Sequence, residues 1–431
     1  MEMVLEFLRD VLSQPALLIG IMSCVGLVAL KRPFHKVMTG TLKPILGYLM
    51  LAAGAGVIVS NLDPLGKMIE HGFHITGVVP NNEAIVAVAQ KVLGVETMSI
   101  LVVGLLMNLC IARFTKFKYV FLTGHHSLFM ACLMSAVLGT AGLSGMELIL
   151  VGGFLMGAWS AISPAIGQSY TSKVTDGDEI AIGHFGSLGY YLSAWVAQYV
   201  GKAEDSTEDI EIPEKWGFLR DSTLSTALTM IVFYLIAAIA AGSEFVSTLS
   251  GDMSPYLYAV MSAMNFAVGV TIVYSGVRMI LGDLIPAFQG IATKIIPNAI
   301  PAVDCAVFFT YAPTAVVLGF LSSFIGGIIG MLILGAVGGV LIIPGLVPHF
   351  FCGATAGIYG NATGGRRGAA VGAFLNGLAI TFLPAMALPV LGQLGFQNTT
   401  FGDADFAVMG LVLGNAYEWV GMAGIYGIVA I

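Results

Sequence analysis

Ala299-Ile300-Pro301-Ala302-Val303-Asp304-Cys305-Ala306 sets a carboxylate three residues after a proline inside an apolar run, and Gly77-Val78-Val79-Pro80-Asn81-Asn82-Glu83-Ala84 does the same earlier in the chain. Each follows an apolar span that ends in an aspartate and a proline, Asp63-Pro64 in one case and Asp283-Leu284-Ile285-Pro286 in the other. The separation from Pro80 to Pro301 equals that from Glu83 to Asp304. This shared order predicts two inverted repeats, approximately 14–200 and 223–391, within a single transmembrane domain covering 1–431. Folds built this way hold their ligand where the halves meet, so Glu83 and Asp304 are expected to face each other.

Working outward, the 431 residues are 57% hydrophobic and only 10% charged, with a mean hydropathy of +0.91. A soluble domain carries about 25% charged residues, so the class expected is an all-α polytopic membrane protein lying in a lipid bilayer. The net charge of -7 comes largely from the polar stretch Lys202 to Lys215, not from a basic face, which argues against a nucleic-acid partner. Cys24, Cys110, Cys132, Cys305 and Cys352 stand singly in apolar surroundings and read as packing residues. No cleavable leader is expected, because the segment before the first span lacks a basic region. The 55 glycines, and prolines inside apolar runs, predict closely packed and interrupted helices, which membranes tolerate where they are buried in protein or face water.

Stretches long enough to span a bilayer are clearest at 14–30, 41–62, 95–112, 127–143, 146–166, 223–242, 255–281, 317–343 and 404–430. Shorter apolar pieces lie at 77–93, 180–200, 299–315, 345–360 and 369–391, some of them expected to be re-entrant hairpins. The basic loops Lys31-Arg32-Pro33-Phe34-His35-Lys36 and Arg113-Phe114-Thr115-Lys116-Phe117-Lys118 fit the cytoplasmic side, which puts the N-terminus outside.

Ionisable groups at bilayer depth are costly and persist mainly where they line a polar cavity. Asn82, Glu83, His125, His184 and Asp304 are the candidates for substrate binding, because a helix broken by proline offers free backbone N–H groups beside a carboxylate or amide. Helix capping by asparagine, or a structural hydrogen bond from Asp304, would account for the same residues. His125 in Gly124-His125 and His184 in Gly183-His184 each follow a glycine that admits a close neighbour, and a neutral imidazole both gives and accepts a hydrogen bond. His126 is expected at the interface. Phe350-Phe351-Cys352-Gly353-Ala354-Thr355-Ala356-Gly357 reads as the tip of a hairpin offering the Thr355 hydroxyl, or as a tight turn between helices. Gly364-Gly365-Arg366-Arg367-Gly368 reads as a cytoplasmic loop. No cofactor motif, metal-ligand spacing or activated nucleophile is found, so no catalytic residue, cofactor or metal is expected.

Several blocks together resemble a known family: Lys173-Val174-Thr175-Asp176-Gly177-Asp178-Glu179-Ile180-Ala181-Ile182-Gly183-His184, Leu122-Thr123-Gly124-His125, Ala302 to Ala306 with Tyr311-Ala312-Pro313, and Leu341-Ile342-Ile343-Pro344-Gly345. They are similar to the ascorbate-type membrane (IIC) component of the bacterial sugar phosphotransferase system. The resemblance implies about eleven transmembrane helices with two re-entrant hairpins, a V-motif domain and a core domain moving as an elevator, and a homodimer in the bacterial cytoplasmic (inner) membrane. It implies a small sugar substrate, L-ascorbate foremost, phosphorylated by a separate soluble IIB component that is itself served by IIA. It maps the family's pocket onto His125, His184, Asn82, Glu83 and Asp304, and departs from the family where glutamines give way to Phe129 and Phe185. Galactitol-type permeases share the fold, leaving an alditol open. A cation-coupled secondary transporter of a small polar solute is the rival from another class.

Overall fold

The computed structural model describes residues 11, 14–74, 77–80, 82–177, 179–210, 222–392 and 399–430, leaving aside some side chains within helices, that of Glu83 among them. Asn81, Asp178 and the part of the acidic stretch from 211 onward lie outside the described residues.

The chain is predominantly helical. In order come α1 (Pro15–Ala29), α2 (Phe34–Gly72), α3 (Asn82–Phe114), α4 (Gly124–Thr140), α5 (Gly145–Thr175), α6 (Ser187–Val200), α7 (Ser222–Ala241), α8 (Ser243–Ser250), α9 (Pro255–Lys294), α10 (Pro313–Ala336), α11 (Leu346–Gly392), α12 (Ala404–Val420) and α13 (Met422–Ala430). Among the described residues six helices are long and apolar enough to cross a membrane, or seven if α7 and α8, bent by 117° at Gly242, form one span. This is a multi-pass membrane protein.

Helix contacts follow the glycines. The two long helices α2 and α9 run antiparallel with their backbones almost touching: a Cβ on Gly47 would lie 2.8 Å from the Gly276 carbonyl oxygen, and one on Gly54 2.7 Å from that of Gly269. Small residues permit this approach, and in a membrane such packing holds helices together where water cannot. α1 and α7 complete this group. A second group, α3 to α6 with α10 to α13, packs chiefly among itself.

Several sequence expectations are corrected. Asp63-Pro64 does not close a span, since α2 runs through Pro64 to Gly72; Tyr234 Oη donates to the Asn61 carbonyl oxygen at 2.5 Å, serving an acceptor near the point where proline removes a helix N–H. The span expected over 404–430 is broken at Gly421, whose φ of +64° ends α12. The expected tip at Phe350–Gly357 is instead continuous helix within α11. The reversal comes at Gly364 and Gly365, the latter at φ +59°, and it folds α11 back on itself so that a Cβ on Gly360 would meet the Gly368 carbonyl oxygen at 2.4 Å. The basic stretch Gly364-Gly365-Arg366-Arg367-Gly368 is therefore a helix-to-helix turn. The start of the acidic stretch lies over that turn, with Arg366 N–H donating to the Asp205 carbonyl oxygen at 2.8 Å. Glu208 from the same stretch accepts from Thr314 and Ala315 N–H at 3.0 and 3.1 Å, placing an anion at the positive end of α10.

Among the described residues five short strands interrupt the helices: β1 (Val79–Pro80), β2 (Tyr119–Phe121), β3 (Ala181–Ile182), β4 (Ile300–Val303) and β5 (Thr399–Thr400). β4 lies between β2 and β3, parallel to both, with Phe121 and Ala181 each paired to Ala302. β1 pairs in parallel with β5, and Val78 bridges to Ile342. Strands that run parallel end on the same side, so whatever residue follows each strand is delivered to one place.

Candidate functional site

Four of the polar residues singled out by sequence, His125, His184, Asp304 and Asn82, follow these strands. Leu122-Thr123-Gly124 carries the chain from β2 to His125, Gly183 separates β3 from His184, and Asp304 follows β4 directly. In the second set Asn82 follows β1 and Asp403 follows β5. All five line one cavity of about 1340 Å³, which is also walled by Tyr48 of α2 and Phe129 of α4.

Gly183 explains the glycine before His184. A Cβ there would lie 2.4 Å from the Ala302 carbonyl oxygen, so the close neighbour it admits is the β4 backbone. Asp304 caps the 3₁₀ turn Cys305–Thr310, accepting from Ala306 N–H at 3.0 Å, and turns its other oxygen to His125 Nε2 at 3.4 Å. Capping and a place in the cavity are thus combined in one side chain. Tyr48 Oη meets His125 Nδ1 at 3.1 Å.

His126 is not at an interface. It is buried beside His184, ring centroids 3.7 Å apart, and lines the cavity. Its Nδ1 accepts from Phe185 N–H at 3.2 Å, while His184 Nδ1 accepts from Gly186 N–H at 3.2 Å and meets Tyr190 Oη at 2.8 Å. With Nδ1 occupied as an acceptor, the neutral form of each ring carries its proton on Nε2, which leaves an N–H donor for a ligand.

Asp403 is the principal residue that sequence reasoning missed. It is buried, accepts from Asn82 Nδ2 at 2.5 Å and from the Cys352 thiol at 2.9 Å, and lies 3.8 Å from His184 Nδ1. Asn82 Oδ1 in turn accepts from Gly402 N–H at 2.9 Å. A partial signal was available: Gly402-Asp403, like Gly183-His184, is a glycine followed by a polar residue. Tyr48 carried no such signal, because a tyrosine within an apolar helix is ordinary.

Glu83 belongs to α3 next to Asn82, and its side chain lies outside the described residues. Thr355 is not brought to the cavity: it sits within α11, fully buried, its hydroxyl donating to the Phe351 carbonyl oxygen one turn back at 2.8 Å.

His126, His184 and Asp403 have potential ligand atoms within 4.8 Å of one another, the set a transition metal would use among the described residues. Both Nδ1 atoms and both Asp403 oxygens already take hydrogen bonds from protein donors, so the cluster is held together without an ion. Lys67, the one lysine or arginine in the lining among the described residues, is paired with Asp63 at 2.8 Å. The cavity therefore offers imidazole and amide donors, the carboxylates Asp304 and Asp403 beside the imidazoles with Asp63 and Glu70 farther along the lining, and aromatic faces. That combination suits a compact ligand rich in hydroxyl groups.

A helical membrane fold with such a cavity is that of a solute permease, and comparison with known proteins gives the class. The family model for the PTS system sugar-specific permease component (EIIC-GAT) matches residues 10–405. The chain belongs to that family. It is also similar to an ascorbate-specific PTS system EIIC component of Mycoplasma pneumoniae (strain ATCC 29342 / M129 / Subtype 1), 27% identical over 424 residues, which is 84% of this chain and 63% of that protein. The chain thus spans less than two thirds of that relative's length.

Proposed function

We propose that this chain is the sugar-translocating subunit of a phosphotransferase system, carrying L-ascorbate or a closely related small sugar to a separate IIB component that phosphorylates it. The observation that carries the proposal is the convergence of His125, His184, Asp304, Asn82 and Asp403 on one cavity in a chain of this family. The relative's name supports ascorbate as the first substrate to test.

In this scheme the Nε2–H groups of His184 and His126 donate to the enediolate or ring oxygens, and Asp304 and Asp403 accept hydroxyl protons. Asn82 orients Asp403. Glu83, adjacent in sequence, is assigned to the same end of the cavity, where an ionised carboxylate beside an anionic ligand would be costly. Thr355 plays no direct part. Phosphoryl transfer belongs to the IIB partner, with IIA upstream of it.

The transport cycle we infer is of the elevator type. The group of α1, α2, α7 and α9 would form a V-motif scaffold and dimer contact, against which the other helices carry the site as a core with two re-entrant hairpins; the tendency of each group to pack within itself supports this division. The two inverted repeats, 14–200 and 223–391, are supported by the exchange of middle strands, β4 into the first set and β1 into the second. The N-terminus is assigned to the outside of the cytoplasmic membrane by the basic loops at 31–36 and 113–118.

Uptake into vesicles tests the proposal. Accumulation of phosphorylated sugar that depends on the soluble donor proteins is expected. Accumulation of unmodified solute that follows a proton or sodium gradient would instead favour a secondary transporter, a reading that the cavity carboxylates Asp304 and Asp403 keep in play. Thermal-shift screening against ascorbate, galactitol and pentitols would separate the candidate sugars, since a ligand bound only by the folded form raises its melting temperature.

A further inference from the structure

Asp405 lies two residues beyond Asp403 yet is not part of the cavity lining. It is completely buried, a costly position for an acid inside a membrane protein unless its oxygens are satisfied. They are. Asp405 accepts from Leu188 N–H at 2.9 Å, Ser187 Oγ at 2.8 Å and Trp159 Nε1 at 3.3 Å, and its own N–H donates to the Phe185 carbonyl oxygen at 2.9 Å.

Those partners share one location. Ser187 and Leu188 open α6, where backbone N–H groups have no acceptor within the helix. Phe185 immediately follows His184. Asp405 therefore caps α6 from a distant part of the chain and ties both sides of the loop that presents His184. Just before it in the chain, Gly402 and Asp403 hold Asn82. The short segment Phe401-Gly402-Asp403-Ala404-Asp405 grips Asn82 at one end and the His184 loop at the other.

We propose that Asp405 is a positioning residue of the sugar site, acting through His184 and making no contact with the ligand. Gly186 N–H supplies the hydrogen bond that keeps His184 Nδ1 an acceptor, and Gly186 lies between the two points Asp405 holds, Phe185 and Ser187. The Phe185 point is held by the backbone of residue 405 and the Ser187–Leu188 side by its carboxylate, so weakening the carboxylate loosens one side of the loop and lets the imidazole turn. Ligand-binding geometry must be held to about half an ångström, so a small turn is enough to lose the contact. This inference rests on the assignment of His184 to sugar binding.

The test uses the full-length purified protein as wild type, Asp405→Asn, His184→Ala and the double variant, with L-ascorbate as the probe, or galactitol where ascorbate does not bind the wild type. Asp405→Asn should weaken binding about tenfold alone and produce no further loss in the His184→Ala background, because residues acting through one another are not additive. A loss that adds in full to that of His184→Ala would overturn the inference. If His184→Ala by itself leaves affinity at the wild-type level, the site assignment fails instead. A second readout needs no ligand. In protein labelled with ¹⁵N-histidine, Asp405→Asn should shift the His184 ring signal, identified by its disappearance in His184→Ala, and leave His349 unchanged, since that ring is tied to Ser323 on other helices. An unmoved His184 signal would overturn the positioning role regardless of which sugar binds. Asp405→Asn keeps the shape of the side chain, so the test does not depend on Asp405→Ala folding.

Discussion

The two small sheets are alike in construction and unlike in chemistry. One sets β4 between β2 and β3; the other sets β1 between β5 and the Ile342 bridge. After the first come His125, Asp304 and His184; after the second come Leu346 beyond Gly345, then Asn82 and Asp403. In the proposed pair of halves, Gly124-His125 corresponds to Gly345-Leu346, while Gly402-Asp403, just past the second repeat, follows β5 as Gly183-His184 follows β3. The backbone device is repeated while the side chains it delivers are not. A sugar has no twofold symmetry, and a site with imidazoles on one side and an amide-carboxylate pair on the other can hold it in one orientation.

The sharpest way to break that contrast is His184→Ala. It removes an imidazole donor from the first sheet, and affinity for the sugar should fall by about 100-fold, the size of a hydrogen bond to a charged partner. Near-normal binding by equilibrium dialysis would move the recognition to the second sheet. Asp403→Ala comes next. It leaves the Asn82 amide and the Cys352 thiol without their acceptor, and binding should weaken by about 30-fold, with some loss of stability from the unpaired donors.

The glycines separate the sheets in a different way. In Gly183→Ala the new methyl meets the Ala302 carbonyl oxygen at 2.4 Å, a backbone atom that cannot step aside. The substitution should cost about 1–3 kcal/mol, read as a lowered melting temperature in detergent. Gly402→Ala meets the Pro348 ring at the same distance, a side chain with some freedom, so its loss should be the smaller of the two. A reversed order would mean that the second sheet is the more tightly fitted. Thr355→Val should change affinity by less than about twofold, since its hydroxyl bonds the Phe351 carbonyl oxygen and the Cys305 side chain and does not itself line the cavity; a larger effect would return Thr355 to the site.

Much of the site was legible because membranes make polar residues conspicuous. Asp304, His125, His184 and Asn82 each stand in apolar sequence, and all four reach the cavity. What escaped was of two kinds. Strands of two to four residues leave no alternating pattern long enough to read, so the element that gathers the site could not be seen in advance. Partners that lie far apart in the chain were also hidden: Asp403 stands just ahead of the span expected over 404–430, Tyr48 lies within the span expected over 41–62, and His126 reads as a residue of the interface. The helix reversal at Gly364-Gly365 was concealed by arginines that suggested an extramembrane loop, whereas an apolar helix on either side folds back tightly there.

Because β4, from late in the chain, sits between the earlier strands β2 and β3, while β1, from early in the chain, pairs with β5 next to the Ile342 bridge, the early and late parts of the chain are dovetailed rather than laid side by side. Neither can finish its own binding wall: each needs a tongue supplied by the other. A chain severed between them should yield two fragments that capture sugar only when produced together, the groove of each waiting for its complement.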